Sequence, residues 1–229
     1  MMVFAFDEDI KRQQKKILSK IRRLKSGETA HMLSKSGIKY KKIYGVSLVH
    51  LRELAQGFNS DNRLAELLWF QEIRETMILA TMLAERELLS EKQLNEWADK
   101  ITNIELAEQV AFNLLGKRSN DIIPILESWL FHTEMYVRYS ALMSIGWSFR
   151  FTNQELGNFV KENFILLEAL ASEPLLTRAI SHCLKMMGRF NPALQNSIVK
   201  LALKWQNNHE PQLKVIGDNV LMEIKTEFN

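Results

Sequence analysis

The chain has 229 residues, 46% of them hydrophobic and 25% charged, with a formal net charge of +3. This excludes a disordered chain and leaves room for a sizeable core in one or two domains. One cysteine, Cys183, excludes an internal disulfide framework, and no apolar leader or run of ~18–20 uncharged residues marks a signal or membrane span, so a cytoplasmic protein is expected.

Asp7-Glu8-Asp9 opens a first predicted helix reaching about residue 24. Ile10, Ile17, Leu18, Ile21 and Leu24 form its apolar stripe, and basic residues fill the other face. Ser26-Gly27 reads as its stop, and 36–45 is the least regular stretch. Ser47 caps a helix through Leu48, Leu51, Leu54 and Ala55. A helix pair follows over 64–69 and 73–89, then Ser90 with Gln93 forms a capping box. Further helices are predicted over 105–115, 121–130, 135–149, 153–170, 174–187, 192–205 and 211–224. Pro124, Pro174, Pro192 and Pro211 sit near their starts, where a missing N–H does no harm. Strand-like alternation with hairpin turns is absent, so the expected class is all-α.

A weak pattern recurs within these helices. Ile73-Arg74-Glu75, Glu108-Gln109-Val110, Val137-Arg138-Tyr139, Thr177-Arg178-Ala179 and Leu213-Lys214-Val215 each open an apolar run. The central positions are separated by 35, 29, 40 and 36 residues, and four of the five are basic. Such spacing predicts a solenoid of helix pairs, with the repeated cation on a concave rim suited to a long anionic ligand.

Charge is uneven. Residues 1–42 hold 12 basic and 4 acidic side chains, whereas 43–229 hold 18 basic and 23 acidic. The basic first helix has three open readings: a phosphate-binding element, a surface for an anionic membrane or partner groove, or a solvated face. Trp69, Trp97, Trp129, Trp147 and Trp205 read as core, with contact to a sugar or base as the alternative. Cys183 reads as a buried filler. His31, His50, His132, His182 and His209 lack metal-ligand spacing, so no metal and no cofactor are expected. A glycine-rich phosphate loop and a Ser or Cys nucleophile signature are also missing.

Three segments carry a resemblance: Tyr44-Gly45-Val46-Ser47-Leu48-Val49-His50-Leu51-Arg52-Glu53-Leu54-Ala55, Leu68-Trp69 followed by Arg74-Glu75, and the helix around Val137-Arg138. In their order and spacing they resemble the AlkD-like DNA alkylation repair proteins, over about residues 8–225. The resemblance implies a single HEAT-like solenoid over 1–229, with a basic helical cap at 1–45, stacked helix pairs at 46–229 and a concave basic groove. It also implies duplex DNA, alkylated or intact, as the partner, a monomer, and no membrane role. Family enzymes release N3- or N7-alkylated purines with a carboxylate that stabilises the developing positive charge. An arginine grips phosphate, and aromatic side chains contact the backbone near the lesion. The arginine corresponds to Arg138, the acid to Gln109, and the two aromatic positions to Glu105 and His182.

A neutral amide cannot supply the charge that an oxocarbenium-like centre needs. The leading expectation is therefore DNA binding with weak or absent base excision. Phosphate contacts are expected from Arg74, Arg138, Arg178, Lys214, Lys15, Lys16, Arg22 and Arg23. One alternative is an active glycosylase using Glu105, one helical turn before Gln109, or the adjacent Glu108. The other is a protein-interaction scaffold, favoured by the acidic balance of 43–229.

Overall fold

The helical periodicity of the sequence is realised almost throughout. The computed structural model describes residues 8–119, 122–151 and 156–226. Among them are fourteen α-helices and no strand, so the all-α expectation holds. Contacts within the chain group into two compact units, 1–109 and 110–229.

In the first unit, α1 (Glu8–Arg23) buries Ile10, Ile17 and Ile21 and leaves Leu24 at 40% exposure. Ser26 does not only stop α1. Its hydroxyl accepts from Thr29 N at 3.3 Å and so caps α2 (Gly27–Lys35), a helix the sequence reading did not foresee. Ser47 caps α3 (Leu48–Ala55) in the same way, and Asp61 caps α4 (Asn62–Trp69). The helix expected over 73–89 ends early: α5 spans Arg74–Leu83 and a 3₁₀ turn follows at Arg86–Leu88. The Ser90–Gln93 capping box opens α6 (Glu91–Ala98) as expected. Every residue of α5 except Met82 is buried, which explains its lack of a polar face. Trp69 on α4 stacks on Trp97 of α6, with ring centroids 4.4 Å apart and planes 9° from parallel.

The division between units falls within α7 (Ile104–Asn113). A 3₁₀ turn (Leu115–Lys117), α8 (Ile122–Leu130) and the long α9 (Met135–Phe151) follow. The helix expected over 153–170 is instead two, α10 (Leu156–Glu162) and α11 (Phe164–Leu170). Asn163 separates them, with its side-chain Nδ2 donating to Phe159 O at 2.7 Å, a local bond that competes with helix continuation. The remainder is a 3₁₀ turn at Pro174–Leu176, α12 (Thr177–Phe190), α13 (Pro192–Gln206) and α14 (Pro211–Thr226). Asp7, Asp121 and Asn153, expected near helix starts, lie outside the described residues. Gly146 lets α12 approach α9: a Cβ there would meet Nε2 of His182 at 2.7 Å. Cys183 is fully buried, and burial pushes its thiol up to about 12, in keeping with a filler. Trp69, Trp97, Trp129 and Trp205 are core residues at 0–1% exposure, whereas Trp147 is only half-buried. Among the described residues, no helix is long and apolar enough to cross a membrane.

Gly45 is the tightest turn in the first unit. Its φ is +78°, and a Cβ would press on the backbone of Ser26 and, at 2.7 Å, on Ala30 N. Gly45→Ala is expected to lose about 2 kcal/mol or more, read as a lower urea midpoint with an unchanged m-value.

Candidate functional site

Two clusters of chemistry-bearing side chains stand out, one in each unit. In the first, Arg74 opens α5 and is 3% exposed. Its Nε and Nη2 donate to the two carboxylate oxygens of Glu105, at 2.9 and 2.6 Å. Its Nη1 donates to Val46 O at 2.7 Å and to Glu75 Oε1 at 3.0 Å. Glu75, fully buried, accepts three backbone N–H bonds from Tyr44, Gly45 and Val46 at 2.9–3.2 Å. Tyr40 donates to Glu105 Oε2 at 3.3 Å. Burial and then the Glu105 charge hold the Tyr40 hydroxyl far above its ordinary value. Burial opposes the charge on Arg74, but the hydrogen bonds and charges of Glu105 and Glu75 outweigh it and raise the guanidinium further. All three charges of this cluster, on Arg74, Glu75 and Glu105, are therefore paired within the protein.

In the second unit, α9 and α12 enclose a cavity of about 340 Å³. Helix α9 lines it with Met143, Trp147 and Arg150, spaced four and three residues apart and so on one face. Helix α12 contributes Arg178, His182, Met186 and Arg189 on one stripe, with Phe190 beside them. The Trp147 and His182 rings lie 4.8 Å apart, and the Arg150 guanidinium lies over Trp147 at 5.7 Å. Arg189 also faces Glu223, at 3.8 Å. Three arginines thus face an aromatic, thioether-rich hollow, and among the described residues that line it there is no carboxylate.

The model of the family described as DNA alkylation repair enzyme matches residues 17–214. The chain belongs to that family. A solved structure described as "A new family of proteins related to the HEAT-like repeat DNA glycosylases with affinity for branched DNA structures" matches it with a TM-score of 0.74. The match covers 93% of this chain and 94% of that one at 16% identity, which shows a shared fold, all-α and HEAT-like. Among curated proteins, none matches the chain.

Within this family's fold, the position at 74, 109, 138, 178 and 214 has no uniform environment. Arg74 is sealed between two carboxylates at 3% exposure. Gln109 is buried at 7% exposure. Arg138 is half-buried; its Nη2 donates to Thr133 O at 3.1 Å and its Nε is buried without a hydrogen-bond partner. Arg178 and Lys214 are exposed, and of the five only Arg178 lines the cavity. On α1, Lys15, Lys16, Arg22 and Arg23 are all exposed. Lys16 lies over the Phe58 ring at 5.7 Å, and a hydrogen bond from Arg22 helps lower the Tyr44 hydroxyl below its ordinary value.

Glu105 has both its carboxylate oxygens held by Arg74. Glu108 is half-buried. Sequence reasoning missed Arg150, Arg189, Met143, Met186 and Phe190 as a group. Their signal was the one-turn spacing along each helix, but nothing in the sequence paired α9 with α12.

Replacing Arg74 leaves Glu75 and Glu105 facing one another without a cation. Arg74→Met is expected to cost about 3–5 kcal/mol in urea unfolding. Glu105→Gln is expected to cost less, because Glu75 still pairs with Arg74.

Burial first, then the charges of Lys185 and Arg178, lower His182 from 6.5 to about 4. The unfolded chain therefore takes up this proton at higher pH than the folded one. The stability that His182 contributes is complete above pH 6.5 and is lost as pH falls towards about 4. His182→Gln is expected to flatten the stability profile in that window by about 2–3 kcal/mol, measured as unfolding free energy at several pH values.

Proposed function

We propose that this family member is a cytoplasmic DNA-binding protein that grips backbone phosphates and does not excise bases. The observation that carries the reading is the convergence of Arg150, Arg178 and Arg189 on one cavity whose described lining residues include no carboxylate. Phosphate contact is the commonest use of such arginines on DNA, and it positions the protein without reading sequence. Family membership supports a DNA partner, and the structural relative is itself described as having affinity for branched DNA. Arg138, Lys214 and the α1 cations Lys15, Lys16, Arg22 and Arg23 are further phosphate contacts in this reading. Arg74 has no part in it.

The absence of excision rests on two residues. Gln109 occupies the position that corresponds to the family acid, and Glu105, one turn before it, is held by Arg74. The basic cavity also speaks against a scaffold for basic protein partners.

Binding that neutralises about five phosphates gives a log–log salt slope of about −4.5. In the triple variant Arg150→Ala, Arg178→Ala, Arg189→Ala, the slope is expected to shrink by two to three contacts and affinity at low salt to fall at least about tenfold. A flat salt dependence, or an unchanged affinity in the triple variant, overturns the reading. Incubation with duplex containing 7-methylguanine is expected to release no base above the spontaneous rate. Release above that rate restores the glycosylase alternative and points to Glu108 as its acid.

A further inference from the structure

We infer that the cavity between α9 and α12 seats one unpaired nucleotide of DNA, its base against the aromatic wall and its flanking phosphates on the arginines. This rests on the DNA-binding reading above and names what that site takes. A site for phosphate alone needs only cations. This one adds Trp147, His182 and Phe190 rings and two methionine thioethers, surfaces that suit a flat, apolar-faced ligand. Rings of this kind serve as stacking platforms for single-stranded bases, whatever the sequence.

The dimensions agree. A hollow of about 340 Å³ sits at the small end of ligand sites, large enough for a nucleotide and too small for a length of double helix. Along α12, Arg178 and Arg189 are separated by ~16 Å of helix, enough to bracket the phosphates on either side of one nucleotide.

His182 acts here as a wall rather than as a charge. Gly146 lets its ring lie against α9, and its Nε2 is buried without a hydrogen-bond partner. Burial keeps it neutral at ordinary pH. The occupant is an uncharged base, because an alkylated cationic purine would meet three arginines. Unpaired nucleotides of this kind occur in single strands and at the branch points of joined duplexes.

Trp147 supplies the readout, because the other four tryptophans are at 0–1% exposure. The probes are a twelve-nucleotide deoxythymidine strand, a strand of equal length and charge made of abasic tetrahydrofuran residues, and a plain duplex. The deoxythymidine strand is expected to quench tryptophan emission and to bind about tenfold or more tighter than the abasic strand. Trp147→Phe is expected to abolish the quench. Met186→Trp, which fills the cavity, is expected to abolish the preference for the deoxythymidine strand over the abasic one.

Equal affinity for the two strands with a normal salt slope overturns the nucleotide seat and leaves the phosphate reading standing. So does a base preference that survives Met186→Trp. Failure of all three probes to bind in a salt-dependent way overturns the phosphate reading, and the seat with it.

Discussion

The first unit depends on a buried cation placed where a helix least favours one. Arg74 occupies the first position of α5, at the positive end of the helix dipole. It is tolerated because Glu75, the next residue, and Glu105, from α7, both pair with it. The carboxylates need compensation in turn, and Glu75 finds it in three backbone N–H groups of residues 44–46. Lys41 N donates to Glu72 O, Arg74 N donates to Lys42 O, and Arg74 Nη1 donates to Val46 O. Segment 40–46 is thus strapped to the start of α5 by polar bonds, beside the burial of Val46. Three adjacent N–H groups can reach one carboxylate only if the backbone turns sharply, and the positive φ of Gly45 supplies that turn.

This arrangement changes what the repeated basic position means. The periodicity marks a recurring position, or slot, on α5, α7, α9, α12 and α14, from the first residue of α5 at Arg74 to the sixth of α7 at Gln109, and not a uniform environment. Where two carboxylates are within reach, as at Arg74, the slot's charge is internal and holds the fold. At Arg178 the slot opens onto a cavity whose described lining residues include no carboxylate. Gln109 carries no charge and is buried in its slot. A single-sequence repeat can find the slot, but the environment of each copy depends on residues elsewhere. Glu105 lies 31 residues from Arg74.

The helical architecture was legible because its signals are local. Ser47, and Ser90 with Gln93, announce their helices through bonds spanning three residues, and both are present. The error at Ser26 has the same origin. Serine followed by glycine suits a helix end and a helix start equally, and the choice depends on Thr29 N meeting the hydroxyl. Asn163 hid its break because asparagine is tolerated on an exposed helix face, and only its bond to Phe159 O shows the interruption. The cavity was half-legible. Met143, Trp147 and Arg150 form a stripe in the sequence, as do Arg178, His182, Met186 and Arg189. That the two stripes face each other is a tertiary fact, permitted by the missing side chain of Gly146.

Grip and excision make opposite electrostatic demands, and on the proposed reading the cavity meets only the first. Releasing an alkylated purine places positive charge on the base before cleavage and on the sugar during it, so the protein must present negative potential there. An arginine ~6 Å from such a charge opposes it by roughly 3 kcal/mol at an effective dielectric of ~20. Three arginines acting together would cancel much of what one carboxylate contributes. The same three side chains favour a phosphate, whose charge does not change on binding. On the proposed reading, an acid at the position of Gln109 would serve a purpose that the arginine-lined cavity does not share.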